Sequence, residues 1–257
     1  MTIQLTSFFL MACILMSGLS GCIFDPARKA RIEVLNESIR KANQEMSTIK
    51  TVGMVYPDVH LFEVSTGVRE EMDEWTEQAT PHLIEAIKRE MPNQGITLKV
   101  IALKGEMTPE MKNNYLLYRT ITESLGWNAT YRKALCPDIQ TCPHYSIGKV
   151  AQIVDAAQVD ALLFVLVHNE IETAEAKEAR RQYNIKRAFM GALGTIYIST
   201  DRHPGLYMSM ALVDRNGEVI WYSSRWIGKG YDLRDPAKAE ELTKRILARL
   251  QAKEKKW

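Results

Sequence analysis

No glycine-rich loop for cradling phosphate occurs in this sequence, and no serine sits in a Gly-x-Ser-x-Gly elbow. A Walker loop, a His-Glu-x-x-His zinc pair and a dinucleotide-binding glycine fingerprint are also missing. No enzyme class that announces itself by one of these motifs is indicated. Charge of one sign is missing as well. Lys and Arg total 33 against 31 Asp and Glu, a net charge of +2, and no basic stripe is interleaved with aromatics. The electrostatic footprint expected of a nucleic-acid binder is therefore absent. What the sequence does have is ordinary for one folded domain of 257 residues: 46% apolar and 25% charged.

Residues 1–21 hold no Asp, Glu, Lys or Arg. Phe8 to Leu19 is apolar except for Ser17 and Gly18. That run is shorter than the roughly 20 residues that cross a bilayer, and it fits the apolar region of a signal peptide. It ends in Leu19-Ser20-Gly21-Cys22, an aliphatic residue, two small ones and a cysteine. The pattern resembles the lipobox of bacterial lipoproteins, although no Lys or Arg stands near Met1. The resemblance implies cleavage before Cys22, a diacylglycerol on its thiol and a further acyl group such as palmitate. Residues 1–21 are then the signal peptide and 22–26 a lipidated tether. Ile23 and Phe24 follow Cys22 where an Asp would favour retention at the inner membrane. The periplasmic face of the outer membrane is thus the expected address. An uncleaved apolar N-terminus with a chance cysteine is the competing reading.

Cysteine is scarce: Cys13, Cys22, Cys136 and Cys142. Cys13 leaves with the signal peptide. Cys136 and Cys142 are each followed by proline and are separated by five residues. In an oxidising periplasm they are expected to form a local disulfide. Free thiols are one alternative. A zinc site with His144 is another, but the spacing is wider than usual and no second cysteine pair exists.

In residues 27–49, Ile32, Leu35, Ile39, Ala42, Met46 and Ile49 recur at alternating spacings of three and four, which predicts an amphipathic helix. Its stripe would pack on the domain or on a second copy. Residues 50–257 read as a single α/β domain. Thr51 to Tyr56 predicts a buried strand, Gly67 to Met91 helix, Ile96 to Leu103 strand, and Pro109 to Leu125 helix. Thr80-Pro81 reads as the start of a second helix or as a kink. Ser146 to Ala157 predicts helix. Asp160 to Val167, continuously apolar, predicts a strand covered on both faces. Residues 173–183 are charged and helical. Met208 to Val213 and Glu218 to Ser224 are strands joined by Asp214-Arg215-Asn216-Gly217. Both Asn216 and Gly217 tolerate positive φ, as hairpin turns require. Asp235-Pro236 caps a last helix with Ala239, Leu242, Ile246 and Leu250 on its apolar stripe. The expected fold is α/β, a mixed sheet of about five strands with a C-terminal antiparallel hairpin and helices packed on its faces.

The stretch Ala211-Leu212-Val213-Asp214 to Gly217-Glu218-Val219-Ile220-Trp221, preceded by the strand Asp160–Val167, resembles bacterial envelope lipoproteins with a domain like the N-terminal domain of the Tol-system propeller protein. The penicillin-binding-protein activator and curli-export lipoproteins belong to that group. Val59-His60-Leu61-Phe62-Glu63 with Arg69 to Trp75 also resembles an uncharacterised Gram-negative lipoprotein family. The resemblance spans residues 50–250 and implies a role without catalysis: scaffold, regulator or export accessory. It brings no catalytic residues and no cofactor.

Three sets of residues carry chemistry worth weighing. His168, Glu170 and Glu172 alternate after the central strand, so an extended chain puts them on one face, as metal ligands would be. An ordinary polar strand exit is the plainer reading. Asp58, His60 and Glu63 follow the first strand and read as polar loop residues that could share an edge. Glu70, Glu71, Asp73, Glu74 and Glu77 read as a solvated helix face or a docking patch. Phe189 to Ile198 is apolar with Gly191 and Gly194, follows Arg180, Arg181, Lys186 and Arg187, and reads as a core strand, a gated loop or an exposed partner site. The expectation is a lipid-anchored, non-enzymatic envelope protein with a protein partner and no bound metal. A metal-binding protein or hydrolase using His168, Glu170 and Glu172 is the rival, and an oligomeric export accessory is the third possibility.

Overall fold

The computed structural model describes residues 44, 46–101, 107–131, 146–148, 150–192, 204–228, 230–248 and 250, with the side chains of 123–131 and 191–192 left out. The signal peptide, Cys22, nearly all of the 27–49 helix, and Cys136, Cys142 and His144 lie outside them. So does the second half of the Phe189–Ile198 stretch. The described residues belong to one compact unit.

The strands are β1 (Thr51–Met54), β2 (Asp58–Val64), β3 (Arg69–Glu71), β4 (Thr97–Val100), β5 (Ala161–Glu172), β6 (Leu206–Asp214) and β7 (Val219–Ile227). The helices are α1 (Asp73–Glu90), α2 (Pro109–Tyr131), α3 (Ala151–Ala157), α4 (Ala174–Ala192) and α5 (Pro236–Leu247). The expected mixed sheet, with its hairpin and its helices on both faces, is the architecture found, carrying seven strands. β5 is its spine. One edge of β5 takes β1 at Ala161–Leu163 and then β2 at Leu166–Glu172, both parallel. Pro57, which has no N–H to give a ladder, lies in the break between those two strands. β4 joins β1 in parallel, and β3 joins β2 antiparallel. The other edge of β5 takes β6 antiparallel, and β6 takes β7.

Alternation along the spine divides the core. Ala161, Leu163, Val165 and Val167 face α1 and α5, where Leu83, Ile87, Leu242 and Ile246 cover them. Leu162, Phe164 and Leu166 face α2 and α3, where Tyr115, Tyr118, Ile153 and Val154 cover them. Both faces are dry, which is why this strand reads as an unbroken apolar run. Met46 and Ile49, the end of the amphipathic stripe, are buried in the first of these layers.

Several elements differ from the sequence reading. The helix expected from Gly67 begins at Asp73, and Arg69–Glu71 are strand. Pairing with β2 is a tertiary contact that no helical period reveals. Pro81 neither starts a helix nor breaks one, because α1 runs through it. Burial of Ala79, Leu83, Ala86 and Ile87 on one stripe holds the helix across the missing hydrogen bond. α3 begins at Ala151, and Ser146 instead bridges Glu218. Phe189 and Met190 lie in the last part of α4. In the hairpin only Gly217 has positive φ, at 87°. Gly217 N–H donates to Asp214 O, and Asp214 N–H to Glu218 O, so the turn is a three-residue loop closed by a left-handed glycine. Asp235 caps α5 as expected, its carboxylate accepting from Ala237 N–H at 2.9 Å.

Candidate functional site

The parallel strands β2 and β5 run side by side to their C-terminal ends, with His60 opposite His168, Phe62 opposite Glu170 and Val64 opposite Glu172. Beyond Leu166, the even-numbered residues of β5 turn from apolar to ionisable. On β2 the same face carries Asp58, His60 and Phe62. β3 adds Glu71 opposite Phe62 and Arg69 opposite Val64. β6 adds Tyr207 opposite His168, and β7 adds Trp226 opposite Tyr207. These residues form a polar and aromatic rim past the edge of the Tyr115–Phe164 layer.

The two histidines of the rim carry different charge. His60 lies between two carboxylates: Nδ1 is 2.5 Å from Glu71 Oε1, and Nε2 is 2.8 Å from Asp58 Oδ1. Both ring nitrogens then carry protons to donate. Asp58, the stronger influence, and Glu71 outweigh partial burial and push the pKa up to about 9. His168, with ring centroid 6.2 Å from that of His60, is in the opposite state. Burial is the main cause, and the cations Arg69, His60 and Arg119 add to it, holding its pKa down to about 4. Its Nε2 therefore accepts from the Arg69 guanidinium. Arg69 also reaches Glu170 at 3.2 Å and lies over the Phe62 ring, 3.8 Å from the centroid. Phe62 stacks on His168 at 4.5 Å. Arg119 of α2 comes within 3.7 Å of Asp58.

The sequence trio His168, Glu170 and Glu172 does share a face, but its members serve two different arginines. His168 and Glu170 engage Arg69, whereas Glu172, buried, pairs with Arg180 of α4. Among the described residues no three His, Cys, Asp or Glu side chains come together as a metal-holding group. Asp58 and His60 are strand residues rather than loop residues, and the alternation of β2 turns Glu63 to the opposite face. Of the acidic set, Glu70 and Glu71 are on β3, and Asp73, Glu74 and Glu77 on α1. A cleft of about 280 Å³ opens beside the β1–β2 break, lined by Asp58, His60, Glu71, Asp73 and Glu77 among others. Its acidic side would suit a cation, but Asp58 and Glu71 are already turned onto His60. Sequence reasoning missed Arg69, Glu71, Phe62, Tyr207 and Arg119 as parts of the rim. Only the alternation of Val59-His60-Leu61-Phe62 could have signalled a strand with His60 and Phe62 on one face.

Behind the rim, tyrosine hydroxyls are locked into the core. Tyr115 donates to Val165 O at 2.7 Å, Tyr118 lies 2.9 Å from Ser209 Oγ, and Tyr207 lies 3.1 Å from Tyr222. Burial pushes all four phenols upward, so they remain protonated. Below the rim, buried Asn169 accepts from Leu233 N–H and donates to Tyr231 O, pinning the segment before α5 to the spine.

Chemically the rim is a set of ionisable groups satisfied by one another on a rigid sheet. His60 has no lone pair with which to act as a base. The lone pair of His168 is occupied by Arg69. The arrangement suits recognition of a surface that meets an arginine, an aromatic ring and alternating charge. The chain matches no known protein family, no curated protein and no solved structure.

Proposed function

We propose that this protein is a lipid-anchored binding component of a bacterial envelope, a scaffold or regulator rather than an enzyme. Its recognition surface is the rim formed by Phe62, Arg69, Glu71, His168 and Trp226. One observation carries the reading: the ionisable groups at the strand ends are engaged with each other, with Arg69 at the centre. No nucleophile and base stand together there among the described residues. Arginine and tryptophan are residue types that dominate binding energy at protein interfaces. Arg69 and Trp226 are both exposed, Trp226 at 56%. The N-terminal sequence pattern supplies the address, with Cys22 carrying the lipid.

Photo-crosslinking in intact cells tests this. A crosslinkable residue at position 69 or 226 is expected to capture the same envelope protein, and one at Lys88 on α1 is not. Equal capture from all three positions, or none from any, would overturn the assignment of the rim. Stoichiometric metal in the purified protein that is lost with His168→Ala would overturn the non-catalytic reading.

A further inference from the structure

α4 is anchored to the domain at its beginning. Thr173 caps it, its hydroxyl accepting from Ala176 N–H at 3.1 Å, and Ala176 is buried. Arg180 pairs with buried Glu172 at the end of β5. From Arg181 to Met190 every residue is exposed except half-buried Tyr183. That length is roughly 15 Å of helix standing away from the core. A helix in water ordinarily turns polar residues outward on every uncovered side. This one exposes Ile185 at 60%, Phe189 at 66% and Met190 at 40%. Ile185 and Phe189, four residues apart, share a face. Arg181 and Lys186 flank that face, and Arg187 lies behind it.

At the start of this face Arg181 pairs with Glu178 at 3.6 Å, and past that pair the charge has one sign. Between Glu178 and Asp201 the chain has no acidic residue and four basic ones, Arg180, Arg181, Lys186 and Arg187. Two copies meeting through residues 181–190 alone would bring like charges together. An apolar stripe bordered by cations, whose long stems can lie along apolar surface while their heads reach outward, matches an anionic bilayer surface. We infer that the exposed half of α4 is a membrane-contact helix. It lays Ile185 and Phe189 among the acyl chains, while Arg181 and Lys186, on either side of that face, meet anionic phospholipid headgroups. This is a second contact, distinct from the acyl anchor at Cys22, and it would fix how the domain and its rim face the membrane.

The test uses the full lipidated protein in vesicles of phosphatidylcholine alone or mixed with phosphatidylglycerol, with some lipids brominated on their acyl chains. Co-sedimentation with phosphatidylcholine alone reads the anchor. Phe189→Trp, compared with the unaltered protein, reads α4. The position is exposed, so an unchanged melting temperature is expected. In phosphatidylglycerol vesicles the added tryptophan should shift to shorter wavelength and be quenched by bromine. Arg181→Gln with Lys186→Gln should weaken helix partitioning by about thirtyfold while sedimentation persists. An added tryptophan that stays water-exposed and unquenched on anionic vesicles overturns the inference. So does quenching that survives the double glutamine change undiminished, or a wavelength shift that appears without lipid and marks a protein contact. Loss of sedimentation on neutral vesicles with quenching retained on anionic ones would overturn the Cys22 anchor and leave this inference standing.

Discussion

His60 and His168 sit opposite each other on adjacent strands and titrate in opposite directions, and pH should separate them. The pKa of His60 in the fold, about 9, is above its ordinary 6.5, so its proton favours folding. That contribution is complete below pH 6.5 and fades as pH rises through 9. The pKa of His168 in the fold, about 4, is below 6.5, so its neutral form favours folding. That contribution is present above pH 6.5 and fades as pH falls toward 4. Melting temperature measured from pH 4 to 10 should therefore decline on both sides of neutrality. His60→Gln is expected to flatten the alkaline side, and His168→Gln the acidic side. A swap of those two effects would show the proton assignments to be reversed. The residue types at positions 60 and 168 were visible in the sequence, but their charge states were not. Those depend first on Asp58 beside His60 and on the burial of His168, and then on Glu71 and Arg69, which β3 delivers from what reads as a helix face.

At the scale of elements, the β6–β7 turn and the end of α1 contain two glycines that differ in a way the sequence does not show. Gly95 closes the turn after α1 with φ of 77° and has open space where a Cβ would stand. Gly217 has φ of 87°, and a Cβ there would come within 1.8 Å of Gly148 O. Ile147 N–H donates to Gly217 O, so two backbone segments meet at that point. Gly95→Ala should cost only the left-handed strain of an alanine, about 1–2 kcal/mol. Gly217→Ala adds a backbone collision and should cost clearly more. Urea unfolding of the two variants checks this, and equal losses would mean that the 146–148 segment does not pack on the turn. The start of helix α5 was legible to the residue because its signals are local, Asp235, Pro236 and a stripe at helical spacing, but Leu250, read as part of that stripe, lies past the helix end at Leu247. Strand β3 was not, because Arg69–Glu71 is three residues of polar chain with no period of its own.

For the whole molecule, the proposed anchor and the proposed contact helix make separable statements about attachment. Cys22→Ser is expected to move the protein from the membrane fraction to the soluble fraction of the envelope, or to leave its processing incomplete. Membrane fractionation with mass spectrometry of the N-terminus reads both. Residues 1–21 found intact on membrane-bound, unmodified protein would end the lipoprotein reading.

What the sequence determined by itself was whatever depends on neighbours along the chain. Its alternation and apolar runs specified β5 as a spine covered on both faces. Asp235-Pro236 specified the start of α5, and Asp214 to Gly217 specified a hairpin. Leu19 to Cys22 specified the lipoprotein expectation. Tertiary structure alone decided that β1 and β2 share one edge of β5, because that register is set by packing both sheet faces at once. It also decided that Arg69 lies between His168 and Glu170, residues about a hundred positions away, since side chains so separated meet only when strands pair. The same folding left α4 half uncovered: its sequence is that of a charged helix, and only the core's extent determines where its cover stops.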